Sequence, residues 1–130
     1  MHGFYSGFLQ SVEKYPENIA LELQRSPGVV ESLTYAELRQ KGESVGRWLR
    51  ESGMSEGVRC AIMAGNGPLW VAAYLGIMAA GAAAVPLDTA FNALQVNKLL
   101  WDSGSAIIFT DSEHLAVVEQ IGRASCRERV

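Results

Sequence analysis

Hydrophobic residues recur along this chain in two patterns, as stripes at helical spacing and as short, almost continuous apolar runs. The runs lie at residues 58–64, 82–87 and 106–110, and glycine or polar turn residues flank each of them. Such runs are typical of strands that are covered on both faces. Because segments of helical length separate them, the pattern predicts an α/β fold with layered helices and a mostly parallel sheet built from right-handed βαβ crossovers.

The N-terminal segment predicts a helix followed by a hairpin. Apolar residues keep a helical spacing from Phe4 to Tyr15, where a proline follows. The helix should end there, because the residue before proline is disfavoured in the helical region. Residues 19–23 are expected to form a strand, 26–28 a turn, and 29–33 the returning partner.

Thr34 opens the second predicted helix. Glu37 lies three residues later, which is the spacing of a capping box, and Leu33 and Leu38 occupy the positions of a hydrophobic staple. Gly53 supplies the left-handed residue that commonly ends a helix. These signals predict a helix from Thr34 to Gly53 with one apolar stripe against the sheet.

Two further helices are indicated in the middle of the chain. Residues 69–80 carry no charge on any side, so this helix should be buried nearly all round and end at Gly81. Asn92 and Gln95 repeat the capping-box spacing and predict a helix ending at Gly104. The three tryptophans are interpreted as core aromatics: Trp48, Trp70 and Trp101.

Composition excludes several functional classes. The chain has 130 residues, of which 48% are hydrophobic and 19% charged, as in an ordinary globular domain, and its formal charge of -3 includes no basic stripe for nucleic acid. Cys60 and Cys126 have no companions at metal-ligand or disulfide spacing. The start lacks a signal peptide, and glycines and prolines break the charge-free run 61–87. We therefore expect no transmembrane segment and a cytoplasmic location.

Four blocks occur in an order that resembles the opening of the adenylate-forming (AMP-binding) superfamily, which includes acyl-CoA synthetases, peptide-synthetase adenylation domains and luciferases. They are Leu33–Leu38, Gly57–Ala61, Ala80–Asp88 and Asp102–Thr110. One departure is Val58, where the family usually has aspartate. The resemblance implies that residues 1–121 are an incomplete N-terminal part of the adenylate-forming enzyme fold, most like a long-chain fatty acyl-CoA synthetase.

The resemblance also implies an activity for the parent protein. Such a ligase uses ATP to convert a carboxylic acid into an acyl-adenylate and then passes the acyl group to a thiol. ATP, Mg²⁺ and coenzyme A would be its ligands. The family's Ser/Thr/Gly-rich loop ending in lysine has no counterpart before Val130, so we expect the fragment to be inactive, to bind no cofactor, and to need the missing downstream part of its domain.

Two alternatives stay open. The blocks suit a peptide-synthetase adenylation domain as well, and strand–helix alternation alone would suit a stand-alone α/β binding module. Such a module needs acidic or glycine-rich residues converging at strand ends, where the sequence offers Asp88 and Asp111.

No catalytic, cofactor-binding or metal-ligating residue is predicted. Asp88 follows a parallel strand, where ligands commonly bind, although capping of the next turn is the favoured interpretation. Asn66 is expected to cap a helix or support a turn, and the Gly65–Gly67 turn lacks a full phosphate-binding fingerprint. His2 and His114 show no partner carboxylate or thiol in the sequence.

The C-terminal residues do not fit the fold pattern. A last helix is expected over 112–121, after which residues 122–130 carry three arginines and one glutamate without periodicity. Two interpretations remain for this tail, a vector-derived or read-through segment and a genuine disordered terminus.

Overall fold

A computed structural model of the chain describes residues 3–54 and 56–124. In chain order, its elements are α1 (Phe4–Lys14), β1 (Ile19–Ser26), β2 (Val29–Thr34), α2 (Tyr35–Glu51), β3 (Arg59–Met63), α3 (Pro68–Ala79), β4 (Ala83–Pro86), α4 (Ala93–Ser103), β5 (Ile107–Thr110) and α5 (Leu115–Ala124).

Strand β3 lies at the centre of a parallel sheet whose order is β4-β3-β5. Ala61 is in register with Val85 on one side and with Ile108 on the other. Strands β1 and β2 form a separate antiparallel hairpin, with Leu23 opposite Glu31. The predicted α/β fold, its parallel sheet and the hairpin are confirmed.

Both faces of β3 are buried. Cys60 and Ile62 pack with Leu49 of α2 and Ile77 of α3, whereas Ala61 and Met63 pack in a second cluster. That second cluster includes Leu87, Val96 and residues of α4 and α5. Successive side chains of a strand point to opposite faces, so a continuous apolar run is required where helices cover both.

The charge-free run folds as strand, helix and strand. It supplies residues 61–63 of β3, then α3 and β4. Within the described residues, none of the helices has both the length and the apolar character needed to cross a bilayer. Along α3 every residue except Leu69 is buried or half-buried, which confirms the predicted nearly complete burial of this helix.

Both capping boxes are present. Glu37 N–H donates to Thr34 Oγ1 at 3.1 Å, and Thr34 N–H donates to Glu37 Oε1 at 2.9 Å. Asn92 and Gln95 exchange the equivalent pair of hydrogen bonds at 2.9 Å each. Each box satisfies donors that a helix start leaves without partners.

Helices α2 and α3 contact each other through glycines. An added Cβ at Gly76 would lie 2.5 Å from Val45 Cβ and 2.7 Å from the carbonyl oxygen of Gly42. One at Gly46 would lie 3.1 Å from the Gly76 carbonyl oxygen. The absence of side chains at these positions is what lets the two backbones approach closely.

The interpretation of the tryptophans as core residues is wrong for two of them. Trp48 is 51% exposed and Trp101 is 62% exposed, while Trp70 is half-buried. Trp48 lies at the flank of α2, where its ring meets Phe109 edge-on at a centroid distance of 6.0 Å. Strand β5 is half-buried along its length because it is an edge of the described sheet.

The last helix is displaced from its predicted position. Helix α5 begins at Leu115 because residues 111–114 form a turn, and its backbone continues to Ala124. From residue 125 onward the predicted tail 122–130 lies outside the described residues. Its origin stays a prediction, as does the boundary at residue 121.

Replacing Gly76 by alanine should destabilise the protein by about 1–3 kcal/mol, because the new methyl group overlaps Val45 and the backbone of α2. Chemical denaturation gives the free energy of unfolding. Gly7→Ala in α1 is the matched control, since a Cβ there meets nothing within 4 Å. Equal stabilities of the two variants would contradict the close helix contact.

Thr34→Ala should lower the free energy of unfolding by about 1 kcal/mol, because the N–H of Glu37 loses its acceptor. The same denaturation measurement applies. Thr34→Ser keeps the hydroxyl and should retain most of the stability. An alanine variant that unfolds at the wild-type midpoint would show that the box contributes nothing.

Candidate functional site

The carboxyl edge of the parallel sheet is where folds of this class commonly bind ligands. Three segments reach it: the loop Gly65–Gly67 after β3, Asp88 after β4, and Asp111 after β5. This edge holds the polar residues that the sequence analysis identified. It also holds a contact between Asp111 and His114 that was not apparent from the sequence.

Asp111 joins the ends of β3 and β5. Its Oδ2 accepts a hydrogen bond from Gly65 N–H at 2.8 Å, and its Oδ1 accepts one from His114 N–H at 2.9 Å. The hydroxyl of Thr110 adds a bond to the carbonyl oxygen of Met63 at 2.8 Å. The neighbouring strand ends are therefore linked by side chains in addition to the ladder.

His114 also contacts Asp111 through its ring, with Nδ1 at 2.6 Å from Asp111 Oδ1. The expectation that this histidine lacks a partner carboxylate is therefore wrong. An ionised carboxylate only accepts hydrogen bonds, so Nδ1 carries the proton in this pair. The signal in the sequence was an aspartate directly after a strand and a histidine three residues later, at a helix start.

The three donors around Asp111 control its ionisation. Burial alone would raise the pKa of this carboxyl, but the hydrogen bonds from Gly65 N–H and from the ring and backbone of His114 outweigh it, and the pKa is lowered. The side chains of His114 and Asp111 are only 16% and 20% exposed. Their interaction is therefore less screened by water than a surface ion pair.

The Gly65–Gly67 turn does not form a phosphate cradle. Asn66 does not cap α3; the cap is Gly67, without a side-chain hydrogen bond. The backbone at Gly67 is extended, so Asn66 lies in a bend before the helix start. Of the two roles expected for Asn66, helix capping is therefore wrong, and support of a turn stays a prediction. The N–H of Gly65, which a phosphate would need, already donates to the Asp111 carboxylate.

The adjoining cavity is also poorly suited to a triphosphate. It has a volume of about 290 Å³, and its lining includes Asp111, Glu113 and Arg25. The arginine of this lining, Arg25, is paired with Glu31 at 2.6 Å. The carboxylates of Asp111 and Glu113 would repel phosphate oxygens. The residues at this edge thus do not fit ATP, and we assign no nucleotide contact to them.

A metal ion has one candidate set among residues 3–54 and 56–124. The ligand atoms of Asp111, Glu113 and His114 lie within 4.8 Å of one another. However, the Asp111 oxygens and His114 Nδ1 are engaged in the hydrogen bonds described above, so a cation would have to displace them. The geometry favours a structural role, in which Asp111 holds Gly65 and His114 by hydrogen bonds. We call this set of hydrogen bonds the Asp111 clamp. The absence of metal-ligating residues stays a prediction.

The side chain of Asp88 caps the turn that follows it. Its Oδ1 accepts a hydrogen bond from Ala90 N–H at 2.9 Å, which confirms the interpretation as a turn cap. It also lines a cavity of about 410 Å³ with Asn66 and Trp70, between the ends of β3 and β4. Lys98, on α4, is paired with Asp102 at 2.9 Å.

Comparison with known proteins assigns the family. A sequence model of the AMP-binding enzyme family matches residues 8–129, nearly the whole chain, so the chain belongs to this family. It is 33% identical over 114 residues to tyrocidine synthase 3 of Brevibacillus parabrevis, covering 88% of this chain and 2% of that protein. The resemblance to adenylate-forming enzymes is thereby confirmed.

Two solved structures share the fold. O-succinylbenzoate coenzyme A synthetase (MenE) of Bacillus subtilis, in complex with AMP, has a TM-score of 0.72 and 28% identity over 82% of this chain and 26% of its own. Fatty acyl CoA synthetase of Mycobacterium tuberculosis has a TM-score of 0.77 and 24% identity, covering 97% and 24%. The chain therefore spans about a quarter, or less, of these relatives.

The Asp111 clamp should make stability depend on pH in the acid range. The folded carboxyl has a lowered pKa, so its stabilisation is complete above the unfolded pKa of roughly 4 and is lost as the pH falls through the folded pKa. At pH 7, Asp111→Ala should cost about 1–3 kcal/mol, because three donors lose their acceptor.

Urea unfolding of wild type and Asp111→Ala between pH 7 and pH 2 measures this effect. The difference between the two should shrink as the pH falls below roughly 4. Asp88→Ala is the matched control, since it removes an exposed carboxylate with a single hydrogen bond. A constant difference over the whole range would exclude the clamp as its source.

Proposed function

We propose that the longer protein to which this sequence belongs is an ATP-dependent ligase that activates a carboxylic acid. The acid's carboxylate attacks the α-phosphate of ATP, giving an acyl-adenylate and pyrophosphate, and a thiol then takes the acyl group. Family membership over residues 8–129 is the observation that carries this proposal. ATP, Mg²⁺ and a thiol acceptor in the cytoplasm are the ligands and setting we assign to it.

Within that protein the present chain has an architectural role. Its carboxyl edge is occupied by internal hydrogen bonds at Asp111 and Asp88, and its glycine turn does not fit a triphosphate. ATP needs several convergent donors or cations to offset its desolvation. We therefore assign the catalytic and nucleotide-binding residues to the remainder of the domain, and expect this chain alone to be inactive.

Two classes of acid are candidates. A peptide-synthetase adenylation domain, acting on an amino acid, is favoured by the 33% identity to tyrocidine synthase 3. A fatty acyl-CoA ligase is the activity that the sequence blocks resemble most. The chain is 24% identical to the fatty acyl CoA synthetase of Mycobacterium tuberculosis, and this level of identity supports a shared fold only. The 28% identity to O-succinylbenzoate coenzyme A synthetase keeps coenzyme A among the candidate acceptors.

Exchange of labelled pyrophosphate into ATP tests the proposal, because this exchange reports reversible formation of an acyl-adenylate. The assay needs Mg²⁺ and a panel of amino acids, aryl acids and fatty acids. We expect acid-dependent exchange by the parent protein, with amino acids the most effective. The 130-residue chain alone should give only the background rate.

The outcomes separate the alternatives. Exchange that depends on fatty acids would favour the fatty acyl ligase, and no exchange with any acid would overturn the ligase assignment. Acid-dependent exchange by the chain alone would contradict its architectural role. A parent carrying Asp88→Ala should keep its exchange rate within about twofold, since this turn has no catalytic part and a small structural effect is expected.

A further inference from the structure

Asn66 and Gly67 form the one asparagine–glycine pair in the sequence. In such a pair the backbone nitrogen after the asparagine reaches the side-chain carbonyl carbon with the least obstruction, because glycine has no Cβ. The other asparagines, Asn18, Asn92 and Asn97, precede isoleucine, alanine and lysine. The loop between β3 and α3 therefore holds the asparagine that is most open to attack by its own main chain.

The fold leaves both reacting groups of this pair available. Asn66 is exposed and lies in a bend, where no helix or strand fixes its backbone. Among the described residues, neither the Asn66 carboxamide nor the Gly67 N–H has a hydrogen-bond partner. A backbone nitrogen held in a helix or a sheet would first have to break its hydrogen bond. No such step precedes attack at Gly67.

Two of the other asparagines are held by α4. Asn92 Oδ1 accepts a hydrogen bond from Gln95 N–H at 2.9 Å, which keeps this side chain on the helix start. Asn97 lies inside the helix, where the next backbone nitrogen, that of Lys98, belongs to the helical hydrogen-bond ladder. Their backbone and side chains are therefore fixed in a way that those of the loop after β3 are not.

We propose that Asn66 is a site of spontaneous deamidation. The Gly67 nitrogen gives up its proton to solvent base and attacks Asn66 Cγ, so that a C–N bond forms while the Cγ–Nδ2 bond breaks. The departing nitrogen takes a proton from water and leaves as ammonia, and a cyclic succinimide remains. Water then opens the ring at either carbonyl carbon, which gives aspartate or an isoaspartyl link through the side chain. No group is oxidised or reduced, and the reaction needs no ligase activity.

Both products change the carboxyl edge of the sheet. Each places a carboxylate where a neutral amide stood, beside the cavity that Asp111 and Glu113 also line. The isoaspartyl form in addition inserts a methylene group into the main chain between Gly65 and Gly67. Gly65 is held by Asp111 at 2.8 Å, and Gly67 is fixed as the cap of α3. A longer and more negative loop should therefore weaken the hydrogen bond between Gly65 and Asp111.

Peptide mapping by tandem mass spectrometry tests the site. Trypsin releases residues 60–98 as one peptide, which contains Asn66, Asn92 and Asn97. After the folded 130-residue chain has been incubated in mildly alkaline buffer, fragment ions should place the change from amide to acid at Asn66. The amides of Asn92 and Asn97 should stay intact in the same peptide. Equal conversion at the three positions would contradict the proposal.

The unfolded chain gives the rate that the sequence alone permits. In guanidinium chloride, where the fold is lost, Asn66 reacts as in a free peptide. The folded chain should convert Asn66 at a rate within about tenfold of this, a difference of about 1.4 kcal/mol in activation free energy, because no hydrogen bond protects the pair. A folded rate that falls below this limit would show that the loop shields the pair, and it would overturn the proposal.

A substitution at the attacking residue tests the route. Gly67→Ala should slow the conversion of Asn66 at least about tenfold, because a methyl group obstructs the nitrogen, and tenfold corresponds to about 1.4 kcal/mol. The fold should tolerate this change, since the new Cβ would meet only Leu23 Cδ2, at 3.2 Å, the movable end of a side chain. Gly7→Ala is the matched control and should leave the rate unchanged. Equal rates in the two variants would overturn the succinimide route.

Amide hydrogen exchange tests the effect on the Asp111 clamp. Ion-exchange chromatography separates the modified chain by its added negative charge. In that fraction the Gly65 amide should exchange about tenfold faster than in the unmodified chain, because its hydrogen bond to a carboxylate is weakened. The Val96 amide, which donates to the Asn92 carbonyl oxygen at 3.0 Å, is the control and should not change. Unchanged exchange at Gly65 would overturn the effect on the clamp.

Discussion

Burial of β3 on both faces is the constraint on which the other elements depend. Four consecutive residues, Cys60–Met63, are almost completely inaccessible, at 0 to 1% exposure. Burying the largest of them contributes on the order of 1.5–3 kcal/mol each, which requires helices on both sides of the sheet. One face is covered by α2 and α3 and the other by α4 and α5. Burial also raises the pKa of the Cys60 thiol, which fits a packing role for this cysteine.

The nature of α3 follows from this arrangement. It lies between the sheet and α2, so an apolar stripe on one side would not be enough, and its residues are apolar nearly all round. The contact with α2 is tight because Gly42, Gly46 and Gly76 present backbone to backbone. Ordinary core side chains at these positions would push α2 outward, and the cover over Cys60 and Ile62 would be lost with it.

The polar residues at the carboxyl edge satisfy one another's hydrogen bonds. In a ligand-binding α/β sheet, donors at strand ends are left available to the ligand. Here Asp111 uses the N–H of Gly65 and both donors of His114 to hold the β3 and β5 ends together. These hydrogen bonds support the proposal that the reactive groups of the longer protein lie elsewhere in the domain.

Local features were predictable from the sequence because they depend on neighbours along the chain. The capping boxes at Thr34 and Asn92, the short apolar strands and the burial of α3 need only a few adjacent residues. What required the tertiary structure involves groups brought together by packing. The exposure of Trp48 depends on where α2 meets the sheet edge, and the link between Asp111 and Gly65 joins residues 46 positions apart. Periodicity marks which residues are apolar, but only the assembled sheet decides which of them lie at an uncovered edge.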